Sequence, residues 1–133
     1  IFNETGQVLL IEHTFRPDHP WGLPGGWIER GENPIQAIQR EIQEELNLTI
    51  AVKKFLFCDT QGTDDEPTTP LSLALAYYCR LESGNPSLPS INSYEVLSLA
   101  WVAPAAIEWP LARLQQRAII LGKAEFDHEQ QLD

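Results

Sequence analysis

The sequence predicts an α/β protein in which a mixed β-sheet is covered on its faces by helices. Three observations carry the prediction. Most apolar segments read as strands, with two helical segments set far apart among them. One of the two, residues 34–46, has an unbroken helical stripe. No repeat and no linker divides the 133 residues, a length that suits a single domain with its own core.

Taken in order, Asn3 to Gly6 reads as a turn and Gln7 to Phe15 (QVLLIEHTF) as a first strand. Arg16 to Pro24 (RPDHPWGLP) holds too much proline and glycine for regular structure. After Gly25-Gly26, Trp27 to Glu29 is expected to form a brief strand. Asn33-Pro34 then opens a helix, with Asn at the N-cap and Pro at the first helical position. Ile35, Ile38, Ile42 and Leu46 make its apolar stripe, and Asn47, which tolerates the left-handed conformation, closes it.

Thr49 to Asp59 reads as a strand and Gln61 to Pro70 as an acidic loop. Leu71 to Leu81 is expected to be a central strand, since Leu71, Leu73, Leu75, Tyr77, Cys79 and Leu81 share one face. Glu82 to Ser90 is a second loop, Glu95 to Val102 a last strand, and Leu111 to Leu121 a second helix stopped by Gly122. Residues 123–133 read as a frayed acidic tail. The chain starts at Ile1 and has no methionine, so a missing N-terminal piece is expected around this one domain, residues 1–133.

Composition narrows the function. No apolar run is long enough to cross a bilayer, and no secretory leader is visible, so no membrane partner is expected. Cys58 and Cys79 each stand alone in a strand-like segment, which predicts two buried, reduced thiols in a cytoplasmic protein rather than a zinc site. The formal charge of −10 argues against binding a nucleic-acid polymer. It leaves open a small polyphosphate partner, provided divalent cations stand between the two sets of negative charge.

The carboxylates on the first helix give that idea a place. On a wheel of about 100° per residue the stripe lies within about 60° of Ile35, whereas Glu41, Glu44 and Glu45 fall between roughly 180° and 280°. Such a cluster is most often a solvated face. Here, however, the three are not interleaved with lysine, and they crowd the helix C-terminus, where the dipole disfavours anions. A glycine-rich turn also lies upstream. Clustered oxygen donors suit Mg²⁺ or Mn²⁺.

The segment GWIERGENPIQAIQREIQEELNL resembles the Nudix box. Gly26, Glu32, Arg40, Glu41, Ile42, Glu44, Glu45 and Leu48 stand at the family's spacing, behind a typical LPGG at Leu23 to Gly26. Asn47 departs from the family's glycine. The resemblance implies an α/β/α sandwich that hydrolyses a nucleoside diphosphate linked to another group, with Mg²⁺ (or Mn²⁺) bridging protein and pyrophosphate. By position it makes Glu41 and Glu45 metal ligands and Glu44 a ligand or an assistant to the catalytic base. The Gly25 carbonyl becomes a further ligand, Arg40 the group that orients a catalytic glutamate, and Glu32 a support for the loop–helix geometry.

Outside the box, Glu95 is the candidate for an additional base or ligand, with Asp64, Asp65 and Glu66 as a weaker rival. Arg16 and Trp27 are candidate substrate contacts, and one of Trp21 and Trp27 is expected to be buried. One of Tyr77 and Tyr78 is expected in the core, and Arg113 and Arg117 on a solvated helix face. A nucleoside triphosphate, including an oxidised one, is favoured slightly over an ADP-ribose-like nucleotide sugar. A non-catalytic nucleotide-sensing domain is the alternative, and an isomerase of prenyl diphosphates a third. The resemblance also makes a homodimer reasonable.

Overall fold

The computed structural model of the protein describes residues 1–16, 20–61, 72–83 and 94–132. Among the described residues five strands and two helices follow one another: β1 (Val8–His13), β2 (Trp21–Gly22), α1 (Pro34–Leu46), β3 (Thr49–Gln61), β4 (Ser72–Ser83), β5 (Val96–Val102) and α2 (Arg113–Gln131). A single 3₁₀ turn, Pro104–Ala106, stands between β5 and α2.

β1 pairs antiparallel with β5 along its whole length, Val8 opposite Val102 and Ile11 opposite Leu99. Its other edge meets β2 at Ile11–Gly22 and Glu12–Trp21. β3 and β4 form a long antiparallel ribbon, Ile50 opposite Leu81 and Gln61 opposite Ser72. Phe2 joins the two groups, bridging antiparallel to Val8 and parallel to Arg80. The Phe2 N–H donates to the Cys79 carbonyl and the Leu81 N–H donates to the Phe2 carbonyl, both at 2.9 Å. The parallel bridge among antiparallel ladders makes the sheet mixed.

Alternation along β1 decides where the helices sit. Leu9 and Ile11 point into a core shared with Ile42 and Leu46 of α1, Leu48, Ile50 and Val96. Val8 and Leu10 point the other way, to Phe2, Tyr78 and, on α2, Ile119 and Phe126. Helices on opposite faces of one sheet give the expected α/β/α sandwich. Among the described residues no helix is long and apolar enough to cross a membrane.

α1 has the expected bounds. The Asn33 side chain accepts from the Gln36 N–H at 2.8 Å, and the Gln36 side chain accepts from the Asn33 N–H at 2.9 Å, which closes a reciprocal capping box. Asn47 ends the helix at φ 53°, ψ 39°, and is the one non-glycine residue with positive φ among those described. The stripe begins later than expected. Ile35 is 42% exposed, while Ala37, Ile42 and Leu46 are buried.

Four other expectations are corrected. Trp27 to Glu29 is not a strand; the short strand is Trp21–Gly22, which has β1 as its partner. Gly122 does not stop α2, and the segment read as a frayed tail is helical to Gln131. Gly122 is buried, and a Cβ there would stand 2.8 Å from the Phe2 ring, so the glycine admits that ring against the helix. Leu73 and Leu75 are exposed, so the apolar face of β4 is covered only toward Tyr77, Cys79 and Leu81. Cys79 is buried as expected, whereas Cys58 is exposed, and both are free thiols. The acidic trio Asp64, Asp65 and Glu66 lies outside the described residues.

Candidate active site

α1 presents its acidic face to the turn that precedes it, and Arg40 ties the two together. The Arg40 Nε and one terminal nitrogen donate to the two oxygens of Glu32 at 2.9 and 2.7 Å, a bidentate pair. The same terminal nitrogen donates to the Trp27 carbonyl at 3.0 Å. Its other terminal nitrogen reaches Glu41 at 3.1 Å, Glu44 at 3.3 Å and Glu29 at 3.6 Å. Glu32 in turn accepts from the Glu29 N–H at 2.7 Å. One guanidinium therefore fixes the helix to the turn and neutralises part of a cluster that would otherwise repel itself.

The pair is well shielded, with Arg40 and Glu32 side chains 21% and 14% exposed. The hydrogen bonds from Arg40, then that from the Glu29 N–H, hold the Glu32 carboxyl down at about 2. The Arg40 guanidinium is pushed above its ordinary value, chiefly by Glu32. Both groups are charged at every physiological pH.

Glu41 and Glu45 are a different kind of pair. Glu41 lies against Gly26, where a Cβ would come within 2.6 Å of its Cγ and Oε1. Glu45, one turn on, is half-buried. Burial, followed by the charge and hydrogen bond of Glu41 and the charges of Glu95 and Glu44, pushes its carboxyl up to about 7. Glu95 thus belongs to the same electrostatic neighbourhood although it comes from the turn before β5. Glu44 is more peripheral, its side chain 62% exposed.

Gly25 is exposed, with open space where a Cβ would stand, next to the glycine on which Glu41 rests. Trp27 is 76% exposed, and its role toward the helix runs through its carbonyl rather than its ring. Trp21 is the half-buried tryptophan of the two, stacked on Trp109 with centroids 4.0 Å apart. Arg16 is exposed near His13, whose Nε2 is buried without a partner among the described residues and whose basicity is lowered by burial and by Arg16. Arg117 is engaged away from the site, 4.2 Å over the Phe57 ring and 3.4 Å from Asp59. Glu29 was not expected in the Arg40 network; one glutamate in a turn carries no sequence signal for that contact.

Among the described residues no three Asp, Glu, His or Cys side chains already enclose a point where an ion would sit. The donor chemistry still fits a hard divalent cation, because the crowded groups are all carboxylates. The Glu45 carboxyl is raised first by burial and then by the neighbouring carboxylates, and a bound cation would offset both.

The family model for the NUDIX domain matches residues 1–121 of the chain. The structure superposes on the MutT NUDIX hydrolase from Burkholderia pseudomallei with a TM-score of 0.71 and 26% identity, covering 90% of this chain and 91% of that one. The chain is 28% identical to the 8-oxo-dGDP phosphatase of Homo sapiens over 110 residues, 82% of this chain and 32% of that protein. It is 40% identical to the RNA pyrophosphohydrolase of Azorhizobium caulinodans over 58 residues, 40% of this chain and 34% of that protein. These matches span about a third of the length of the two curated relatives. With nine-tenths of its residues inside the family model, the chain belongs to the NUDIX domain family.

Proposed function

We propose that the domain is a divalent-metal-dependent pyrophosphohydrolase that cleaves a nucleoside diphosphate linked to another group. The observation that carries this reading is the Glu41–Glu45 pair, in which burial and mutual charge push one carboxyl up to about 7 beside a glycine that lets the other approach the backbone. Such strain has no use in a solvated helix face and suits a site that receives a cation with its substrate. Relatives named for 8-oxo-dGDP, 8-oxo-dGTP and RNA pyrophosphate hydrolysis support the same class. Of these, a nucleoside triphosphate or an oxidised nucleotide is favoured over an ADP-ribose-like sugar nucleotide.

Glu41 and Glu45 are the residues that would hold Mg²⁺ or Mn²⁺, with Glu44, Glu95 and the Gly25 carbonyl as further oxygen donors. A bound divalent ion would neutralise phosphate charge and make the attacking water more acidic. The protein's own part is placement. Arg40 holds the Glu41 carboxylate from one side while Gly26 admits it from the other. Water bonds to one phosphorus, the bridging oxygen leaves with the other phosphorus, and a carboxylate of the cluster takes the proton. Positioning and fixed charge supply most of the acceleration in such a transfer.

Incubation with Mg²⁺ and a panel of nucleoside triphosphates, 8-oxo nucleotides and ADP-ribose, followed by chromatography, tests the proposal. Release of a nucleoside monophosphate from one class is the expected result. Tight nucleotide binding with no turnover of any pyrophosphate would overturn it in favour of a sensing domain. A cytoplasmic homodimer is the assembly in which we place the domain.

A further inference from the structure

Leu23 to Gly26 lead from β2 into the turn that Arg40 holds, and they include both glycines of the site. The downstream end of this segment is fixed from α1, by the Arg40 bond to the Trp27 carbonyl and by Glu41 lying on Gly26. Its upstream end is held from α2, which packs on the opposite face of the sheet. The Leu23 N–H donates to the side-chain oxygen of Gln115 at 3.4 Å. Gly22 is buried against the same amide, and a Cβ there would stand 2.6 Å from the Gln115 Oε1 and 3.0 Å from its Nε2. Gly22 and Gly26 thus each receive a polar side chain, one from either helix.

Gln115 stands where α2 calls for a hydrocarbon. Ile119, Gly122 and Phe126 are buried, and Gln115 begins the same stripe one turn earlier. An amide on such a stripe is costly unless it is hydrogen-bonded, and Leu23 supplies the bond. Trp21, stacked on Trp109 with centroids 4.0 Å apart, holds β2 to the segment before α2 at a second point. Pro24 carries the constraint forward, because its ring locks its own φ and restricts Leu23 before it. We propose that Gln115 is a positioning residue for the hydrolysis. By fixing Leu23 it sets the place of the Gly25 carbonyl and of Gly26, and through Gly26 that of the Glu41 carboxylate. This rests on the reading of the carboxylate cluster as the site of pyrophosphate cleavage.

Gln115→Met keeps the length of the side chain and removes the acceptor, whereas Gln115→Glu keeps an acceptor at the same reach. Two measurements apply: steady-state hydrolysis of the nucleotide panel with Mg²⁺, and assigned ¹H–¹⁵N spectra of the metal-free protein. Gln115→Met should lower kcat about tenfold or more and leave KM within about twofold. In the spectra its Leu23 amide should exchange faster with solvent, and the Gly25 and Gly26 signals should shift. Gln115→Glu should restore kcat and signals together. Gly22→Ala meets no positive φ and crowds the amide, so it should act as Gln115→Met does, and the two combined should lose no more than either alone. Wild-type kcat in Gln115→Met, a loss that Gln115→Glu fails to restore, or unmoved Gly25 and Gly26 signals would each overturn the proposal. A wild-type chain that hydrolyses no nucleotide, while Gln115→Met still shifts Gly25 and Gly26, would reject the hydrolase reading and keep the tie between α2 and the turn. Unmoved signals in a chain that does hydrolyse would reject the tie alone.

Discussion

Glu41 rests on Gly26: a Cβ at residue 26 would lie 2.6 Å from the glutamate's Cγ and Oε1. Gly26 is not among the glycines with positive φ, which among the described residues are Gly6 and Gly31, so alanine meets no backbone strain there. The obstacle is the carboxylate itself. Gly26→Ala should therefore fold and displace Glu41 by the width of a methyl group. A displacement of that order costs about 10²-fold in rate when the displaced group positions a reaction. Pyrophosphohydrolase assays of the variant, with circular dichroism to confirm the fold, check this. Wild-type kcat in Gly26→Ala would show that the close approach has no bearing on chemistry.

Arg40 joins helix to turn through geometry that lysine cannot reproduce. The bidentate bond to Glu32, the bond to the Trp27 carbonyl and the contact with Glu41 all come from one planar fork. Arg40→Lys keeps the charge, so any loss reports geometry. We expect about tenfold or more lower kcat at unchanged net charge, as for other bidentate sites. Acid unfolding should change too. The depressed Glu32 carboxyl contributes stability that is full above its ordinary value of 4.5 and disappears as pH falls through about 2. Arg40→Lys should move the acid transition to higher pH, and an unmoved transition would argue that the pair is thermodynamically idle.

Glu45 has the opposite sign. Its carboxyl, raised to about 7, holds a proton in the folded chain that the unfolded chain has already released. Stability of the metal-free protein should therefore fall as pH rises from about 4.5 to about 7, then level off. Glu45→Gln removes that decline. At pH 8 in chelator the variant should melt at or above the wild-type temperature, while Mg²⁺ should stabilise wild type and leave the variant nearly unaffected. Equal melting of the two proteins with and without Mg²⁺ would remove Glu45 from the metal site.

Much of this site could be read from the chain because its signals are local. Asn33, Pro34, the stripe through Ile42 and Leu46, and the left-handed Asn47 all lie within fifteen residues, and they orient Glu41 and Glu45 without help from distant segments. What failed depended on partners remote in sequence. Trp27 to Glu29 has strand-like residues, yet its groups are engaged by Arg40 and Glu32 rather than by a neighbouring strand. Phe2 joins β1 to β4 through a single parallel bridge, for which no periodicity exists to detect. Glu95, expected from the sequence as a carboxylate outside the box, acts on Glu45 through its charge.

Asn47 offers a check on the helix end alone. At φ 53° it occupies the conformation that glycine adopts most easily, and its side chain accepts from the Gln43 amide at 2.8 Å. Asn47→Gly should leave stability within about 0.5 kcal/mol, trading the side-chain bond for an unstrained backbone. Asn47→Ala loses both advantages and should cost about 1–2 kcal/mol in chemical denaturation. Equal midpoints for Asn47→Ala and wild type would mean that the helix end relaxes out of the left-handed conformation.

Gly122 carries the last prediction, and it concerns why α2 does not end where glycine suggests. Helix interiors lose about 0.5–1 kcal/mol at glycine relative to alanine, so Gly122→Ala on an open helix face should stabilise. Here the Phe2 ring occupies the space, 2.8 Å from where the Cβ would stand. That ring also stacks with Phe126 at 6.0 Å and lies 5.8 Å from Tyr78, so it cannot retreat without opening the α2 core. Overpacking should outweigh propensity, giving a net loss of about 1–3 kcal/mol. Combining Gly122→Ala with Phe2→Leu relieves the contact, and the double variant should be less unstable than the two single changes sum to. Strict additivity in denaturant titrations would show that Phe2 and Gly122 do not share the space, and the continued helix would then need another cause.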